Sequence, residues 1–404
     1  MSSAMAAGLY HPNCKDVHTT YFPELDDEPD SKFSKKELEQ VKEDYRQDQK
    51  QQHAGRMAEQ YGRLSEYSLD PDNKRMYAAR KEQWEKQEYG AIDEYTSSKK
   101  EYDAQVHKLA KLEKETDNAL NAYMDGMDTP QAAEYEEVFN KKFDETENLK
   151  QIVKDLKAGL SGKEAKAVRQ MEKELSLRTG IPIDKVEMSG LKYDTAKMVY
   201  DSYDVVLKKF PELKEQLASF KYSSDLKGGT YAGCVTYTGE IKAYGKFANY
   251  EKLVQAYAND VAQGFHPVGT DHNSIIVHEL GHALDGYMSK KGLLDGNVHR
   301  TTSKTVKDMT LKLAGFDKQE LADDLKKQGL TLSQRRDILE KKERDFIAEH
   351  VSVYAAKYDY VKNRTKVDSE REFFAECFAE YMMSDNPRKT AKIFGEIIET
   401  ALGR

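Results

Sequence analysis

Residues 274–288 read Ser-Ile-Ile-Val-His-Glu-Leu-Gly-His-Ala-Leu-Asp-Gly-Tyr-Met. The pattern predicts a helix over 274–289. On a helix, residues four apart share a face, so His278 and His282 present two imidazoles to one point. Glu279 sits beside them, placed to take a proton from a water held at that point. Ile275, Ile276, Val277, Leu280, Ala283 and Leu284 are apolar, so this helix is expected to be buried. A buried helix gives a metal site the rigidity it needs. Two unrelated histidines on a core helix are the competing explanation, and the apolar setting weighs against it. Zn2+ is the expected cofactor, because catalytic zinc sites use three protein ligands and leave one position for water.

The third ligand decides the class. A histidine ten residues after His278 would make a metzincin, but that position is Met288, and Asp285 stands where the metzincin pattern needs glycine. The alternative is a carboxylate on a later helix. Residues 369–382, Ser-Glu-Arg-Glu-Phe-Phe-Ala-Glu-Cys-Phe-Ala-Glu-Tyr-Met, predict an amphipathic helix over Glu370–Met383. Phe373, Phe374, Cys377, Phe378, Tyr381 and Met382 form its apolar stripe. Glu372, Glu376 and Glu380 recur every four residues along the edge. Such a row is costly without a compensating cation or donors. Glu372 is assigned as the third metal ligand. Glu376, one turn on, is read as an acceptor for the second nitrogen of a ligand histidine. Asp285 is another such acceptor, and Glu380 is read as part of a solvated edge.

Outward from this core the chain is uneven. Residues 1–150 hold 18 Leu, Ile, Val and Phe; residues 151–404 hold 60. Only the second stretch has the aliphatic content for a packed core of its own. Residues 1–33 read as loop, with Pro12, Pro23 and Pro29. Helices are expected over Ser34–Leu69, about Asn73–Tyr123 and about Gln131–Leu177, broken at Pro71 and at Asp125–Pro130 and ended by Gly180. Beyond Gly180, helices are expected over Tyr193–Phe210, Glu212–Phe220, Tyr250–Gln263, two or three within 303–356, and Lys389–Leu402. Strands are expected over Tyr231–Tyr237 and Glu240–Tyr244, joined by a Thr238-Gly239 turn. Three domains result: a loop-like 1–33, an extended helical 34–180 and a compact 181–404. The fold class is α+β, mainly helical, with a small antiparallel sheet in the last domain and an extended all-α region before it.

The formal net charge is −8, which argues against a nucleic-acid binder. No apolar run reaches about 18 residues, so no membrane span is expected. The start carries no signal peptide, and three scattered cysteines, Cys14, Cys234 and Cys377, predict a reducing compartment rather than a disulfide framework.

HELGHALDGY, followed some 90 residues later by EREFFAECFAEYM, resembles the anthrax lethal factor-like zinc metallopeptidases, which are gluzincins. The resemblance runs from about Met188 to Arg404. It implies a zincin-type catalytic domain with His278, His282 and Glu372 as zinc ligands and Glu279 as catalytic acid/base. It also implies a tyrosine that stabilises the oxyanion in a Ser-x-Tyr-Ala setting. Ser352-Val-Tyr354-Ala355 resembles that setting, with Tyr358 and Tyr360 as alternatives. The N-terminal part, with HPNC at residues 11–14, resembles the end of a phage head-morphogenesis or minor capsid domain. There His11, Cys14 and His18 are read as a structural hook rather than metal ligands.

Together these predict a zinc metalloendopeptidase acting on a peptide or protein substrate, as part of a phage or prophage minor capsid protein. Capsid or portal subunits are expected partners of the N-terminal helices, and the virion or bacterial host cytoplasm is the expected location. The alternative is a minor capsid structural protein whose zincin-like domain is non-catalytic. The strand over Tyr231–Tyr237 is the expected edge on which an extended peptide pairs. His266, His272 and His299 are read as surface or capping histidines.

Overall fold

The computed structural model describes residues 53–226, 229–295, 302–356 and 366–404. His11, Cys14, His18, His299, Tyr358 and Tyr360 lie outside the described residues, as does the 34–52 part of the helix expected over Ser34–Leu69. The chain divides into two compact units, Met1–Glu88 and Tyr89–Arg404.

In the first unit, residues 53–67 are helical and a second helix starts at Pro71. Pro71 ends one helix and begins the next, because its missing N–H costs nothing in a first turn. The Asp70 carboxylate accepts from the Asp72 amide at 2.8 Å and covers that end. Aromatic pairs hold the two helices: His53 meets Trp84 edge-on at 5.5 Å, and Tyr61 stacks on Tyr77 at 6.2 Å.

In the second unit, the rest of Pro71–Gly126 runs antiparallel to Ala132–Thr179. The seam is thinly apolar. Thr116 and Thr146 share a hydroxyl hydrogen bond of 2.7 Å, and Lys142 pairs with Glu115 at 2.7 Å. Gly180 closes the second helix with φ at 77°, a left-handed cap suited to glycine.

The compact part that follows is mainly helical around one small sheet. Its strands are β1 (Val186–Glu187), β2 (Ser219–Tyr222), β3 (Ala232–Val235) and β4 (Glu240–Ala243), in spatial order β1-β2-β4-β3. The β3–β4 hairpin is antiparallel, with Cys234 opposite Ile241, as its turn chemistry predicts. The sheet as a whole is not antiparallel but mixed: β2 runs parallel to both β1 and β4. The expected helix over Glu212–Phe220 is likewise replaced by a 3-10 turn at Pro211–Glu215 and then by β2. Phe220 is fully buried and pairs with Ile241, so long-range strand pairing outweighs the helical spacing of this segment.

The core centres on the helix Ser274–Lys290, called here the His helix, against Lys366–Met383, the Glu helix. Two glycines set its close contacts. A Cβ on Gly281 would lie 3.1 Å from the Cα of Ala375 and from a ring carbon of Phe378. A Cβ on Gly286 would lie 1.8 Å from the carbonyl oxygen of Thr236, just beyond β3. Helices Ser303–Ala314, Lys318–Lys327, Leu332–His350 and Lys389–Ala401 complete the layer. Among them Glu343, largely buried, pairs with Lys307 at 2.7 Å and with Lys318. Burial pushes its carboxyl pKa up, but the two ammonium groups outweigh this and hold it below its ordinary value of 4.5.

Gly286→Ala forces a carbonyl to move within a packed core, so it should cost at least about 1–3 kcal/mol in urea unfolding. Glu343→Gln tests the ion cluster. A carboxyl depressed on folding contributes full stability above its unfolded pKa and loses that contribution as pH falls below it. The wild-type advantage, about 1–3 kcal/mol near neutral pH, should therefore shrink steadily from about pH 5 downward.

Candidate metal centre

The His helix carries His278, Glu279 and His282 on one buried face, each less than a tenth exposed. Four-residue spacing brings the imidazoles to 4.8 Å between ring centroids. The Glu helix crosses at Gly281 and delivers Glu372 to them. Its Oε2 lies 3.1 Å from His278 Nε2 and 3.5 Å from His282 Nε2. Ligand bonds of about 2.0–2.1 Å to one tetrahedral ion place ligand atoms about 3.3 Å apart. His278, His282 and Glu372 therefore have the spacing and the donor set to hold a metal ion, with potential ligand atoms all within 4.8 Å of one another.

Glu376 lies one turn beyond Glu372 and is 1% exposed. Its carboxylate reaches two rings: Oε1 is 2.8 Å from His278 Nδ1 and 3.2 Å from His266 Nδ1. The contact to His278 is short but poorly aligned, a charge contact more than a well-formed hydrogen bond. Burial alone would raise the Glu376 pKa, yet His266 and His278 hold it down at about 2. Glu372 is likewise pushed up by burial and pulled far below the carboxylate range by its two histidines. His278 is lowered by burial, but Glu372 and Glu376 keep it well above the ordinary imidazole value. A divalent cation held there would take over this balancing role, and its binding would release protons. Burial raises the Glu279 pKa, opposed by His278 and His282. The net direction is upward, so this carboxyl holds a proton more readily than an exposed one.

Tyr354 stands in the same cleft, its ring centroid 5.9 Å from that of His278. Ser352 accepts from the Ala355 amide at 3.0 Å and starts the short helix Val353–Ala356. The Val353 and Tyr354 amides donate to the carbonyls of Gly264 and Phe265 at 2.9 and 3.0 Å. This pins Tyr354 beside the His266 loop.

Two expectations, for Glu380 and His266, need correction. Glu380 is not a solvated edge: it is 1% exposed and grips Arg388, whose Nη2 and Nε lie 2.7 and 2.9 Å from its oxygens. Arg388 in turn donates to the carbonyl of Val351. Asp285, read as an acceptor for a histidine, is fully buried; its Oδ1 receives the Thr302 hydroxyl and Ser303 amide at 2.7 and 3.0 Å and so caps helix Ser303–Ala314, while His282 lies within electrostatic reach of its carboxyl. His266 is not a surface histidine. It stacks on Tyr257 at 4.8 Å, meets Glu376 and lines the cleft. Nothing local in the sequence marks it, because its partner lies 110 residues away. His272 does bond locally, to the Tyr250 hydroxyl at 2.9 Å.

The cleft has a volume of about 430 Å³, and Tyr231 and Ala232, at the start of β3, are part of its lining. No protein-family model, curated protein or solved structure matches the chain. Glu376→Ala should leave His278 poorly oriented and weaken divalent metal affinity about 10–100-fold. Titration of the metal-free chain with Co2+, read by absorption, measures this.

Proposed function

We propose that the compact part of the Tyr89–Arg404 unit is a zinc-dependent endopeptidase. The observation that carries this reading is a buried Glu279 next to two imidazoles and a carboxylate at metal-ligand spacing, in a cleft lined in part by the start of an end strand. The likeness of HELGH and the downstream Glu helix to lethal factor-like gluzincins points the same way. His278, His282 and Glu372 would hold zinc, which when bound would supply a Lewis acid able to bring the pKa of a water toward about 7 and to polarise a carbonyl.

The chain's own groups do the rest. An extended peptide adds to the outer edge of β3, which has β4 on one side only in the sheet. Glu279 accepts the proton of the attacking water and returns it to the leaving amine. Tyr354, pinned by its backbone beside His278, donates to the oxyanion that forms at the scissile carbonyl. Glu376 holds His278 from behind.

The non-catalytic alternative, a phage minor capsid component stabilised by a metal, draws on the helical pair before the sheet. That pair exposes Met124, Met127, Val138, Phe143 and Ile152, an apolar stretch suited to assembly. Zinc content and cleavage of a mixed peptide substrate separate the readings. Glu279→Gln should bind zinc as wild type does and lose hydrolysis. Tyr354→Phe should lower kcat about 10²–10³-fold with little change in KM. Equal turnover by fully zinc-loaded Glu279→Gln and wild type would overturn the assignment of Glu279.

A further inference from the structure

We infer that the cleft selects peptides carrying an acidic side chain and that Lys246 is the residue that reads it. This rests on the peptidase reading above and names its substrate class. Lys246 lies in the 3-10 turn Gly245–Ala248 that follows β4, and it lines the same cleft as His278 and Glu279.

The turn is rigid. The Gly245 amide donates to Asp225 O at 3.0 Å and the Phe247 amide to Tyr244 O at 2.9 Å. A Cβ on Gly245 would lie 2.6 Å from Ser224 O, so the backbone there is tightly enclosed. Phe247 is fully buried and anchors the far side. On this base the Lys246 side chain is half-buried and its Nζ lies 3.8 Å over the centroid of the Tyr231 ring. The ring face attracts the cation but does not neutralise it. No carboxylate among the described residues lies within 4.0 Å of Lys246 Nζ. Burial draws its pKa down, and the more distant charge of Asp260 opposes this. A partly desolvated ammonium without a carboxylate is an incomplete pair, which a ligand carboxylate completes.

The neighbouring groups favour an acidic over a basic ligand. Asp260, the acid nearest to this wall, already accepts the Tyr231 hydroxyl at 2.7 Å. Glu376 is occupied by His266 and His278. Glu279 belongs to the chemistry. Among the described residues, Lys246 is left as the charged group on this wall that has a ring but no carboxylate beside it. Because Tyr231 adjoins β3, a peptide paired along that edge carries its side chains past the ammonium.

The test uses the full zinc-loaded chain and quenched fluorogenic peptides in which one position at a time is Glu, Ala or Lys. Wild type should favour Glu over Ala at one fixed position by at least about tenfold in kcat/KM, the scale of one charge-assisted pair. Lys246→Met, which keeps the stem on Tyr231, should bring that ratio close to one. Lys246→Arg should retain it, and Lys246→Glu should turn the preference toward Lys. A wild-type preference for Lys, or an acidic preference unchanged in Lys246→Met, overturns the inference. If wild type cuts none of the peptides, the peptidase reading fails while the subsite stays readable. Fluorescein-labelled versions are then titrated against Glu279→Gln with Lys246 intact or replaced by Met. A Glu-dependent gain in affinity that needs Lys246 upholds the subsite, and equal affinities for the Glu and Ala peptides sink it.

Discussion

The site depends on how closely two helices cross at Gly281. With a hydrogen in place of a side chain there, the backbone of the Glu helix at Ala375 reaches the His helix directly. Glu372 and Glu376 lie on either side of that contact in sequence, three residues before it and one after. The same crossing therefore aims one carboxylate at the Nε2 atoms and the other at the Nδ1 atom of His278. A larger residue at 281 would separate the helices by a fraction of an ångström or more. Metal-ligand geometry tolerates only about 0.2 Å of such error.

Charge is the second constraint. Glu279, Glu372 and Glu376 lie within two turns of helix surface in a largely dry space, which is unfavourable unless positive charge matches them. Outside the two helices, His266 on the Gly264–Thr270 loop meets one of these carboxylates, with its Nδ1 3.2 Å from Glu376 Oε1. Glu376 thus joins His278 to His266 on the cleft wall. It is held low in pKa by both rings, and so stays an acceptor across the ordinary pH range.

Much of this was legible in one dimension, for identifiable reasons. The four-residue spacing of His278 and His282 and the apolar residues around them follow from helix geometry alone, and the Glu helix shows the same periodicity. The Thr238-Gly239 turn marks the β3–β4 hairpin because its chemistry is local. What escaped reading was what depends on distant partners. β2 carries helical spacing but is claimed by β4 and β1, and its parallel neighbours lie many residues away. Glu380 looks like a solvated acid until the chain turns at residues 384–388 and brings Arg388 back onto it. His266 and Asp285 are ordinary polar residues in sequence. Only the packing decides that one faces the cleft and the other caps a helix.

Glu380 and Arg388 extend the logic to Tyr354. Arg388 is fixed by the Glu380 carboxylate, and it holds the Val351 carbonyl just before the Ser352 cap. The following amides then pair with Gly264 and Phe265, so Tyr354 and His266 are tied to each other through the backbone. His266 is tied through Glu376 to the Glu helix, and Glu380 belongs to that same helix. One helix therefore brings Glu372 to His278 and His282, places Glu376 behind His278 and against His266 and, by way of Arg388, anchors the segment that carries Tyr354. Groups that must act together within fractions of an ångström are in this way referred to a single rigid element. That is the arrangement a preorganised site requires, and it places the cost of error in packing of the Glu helix.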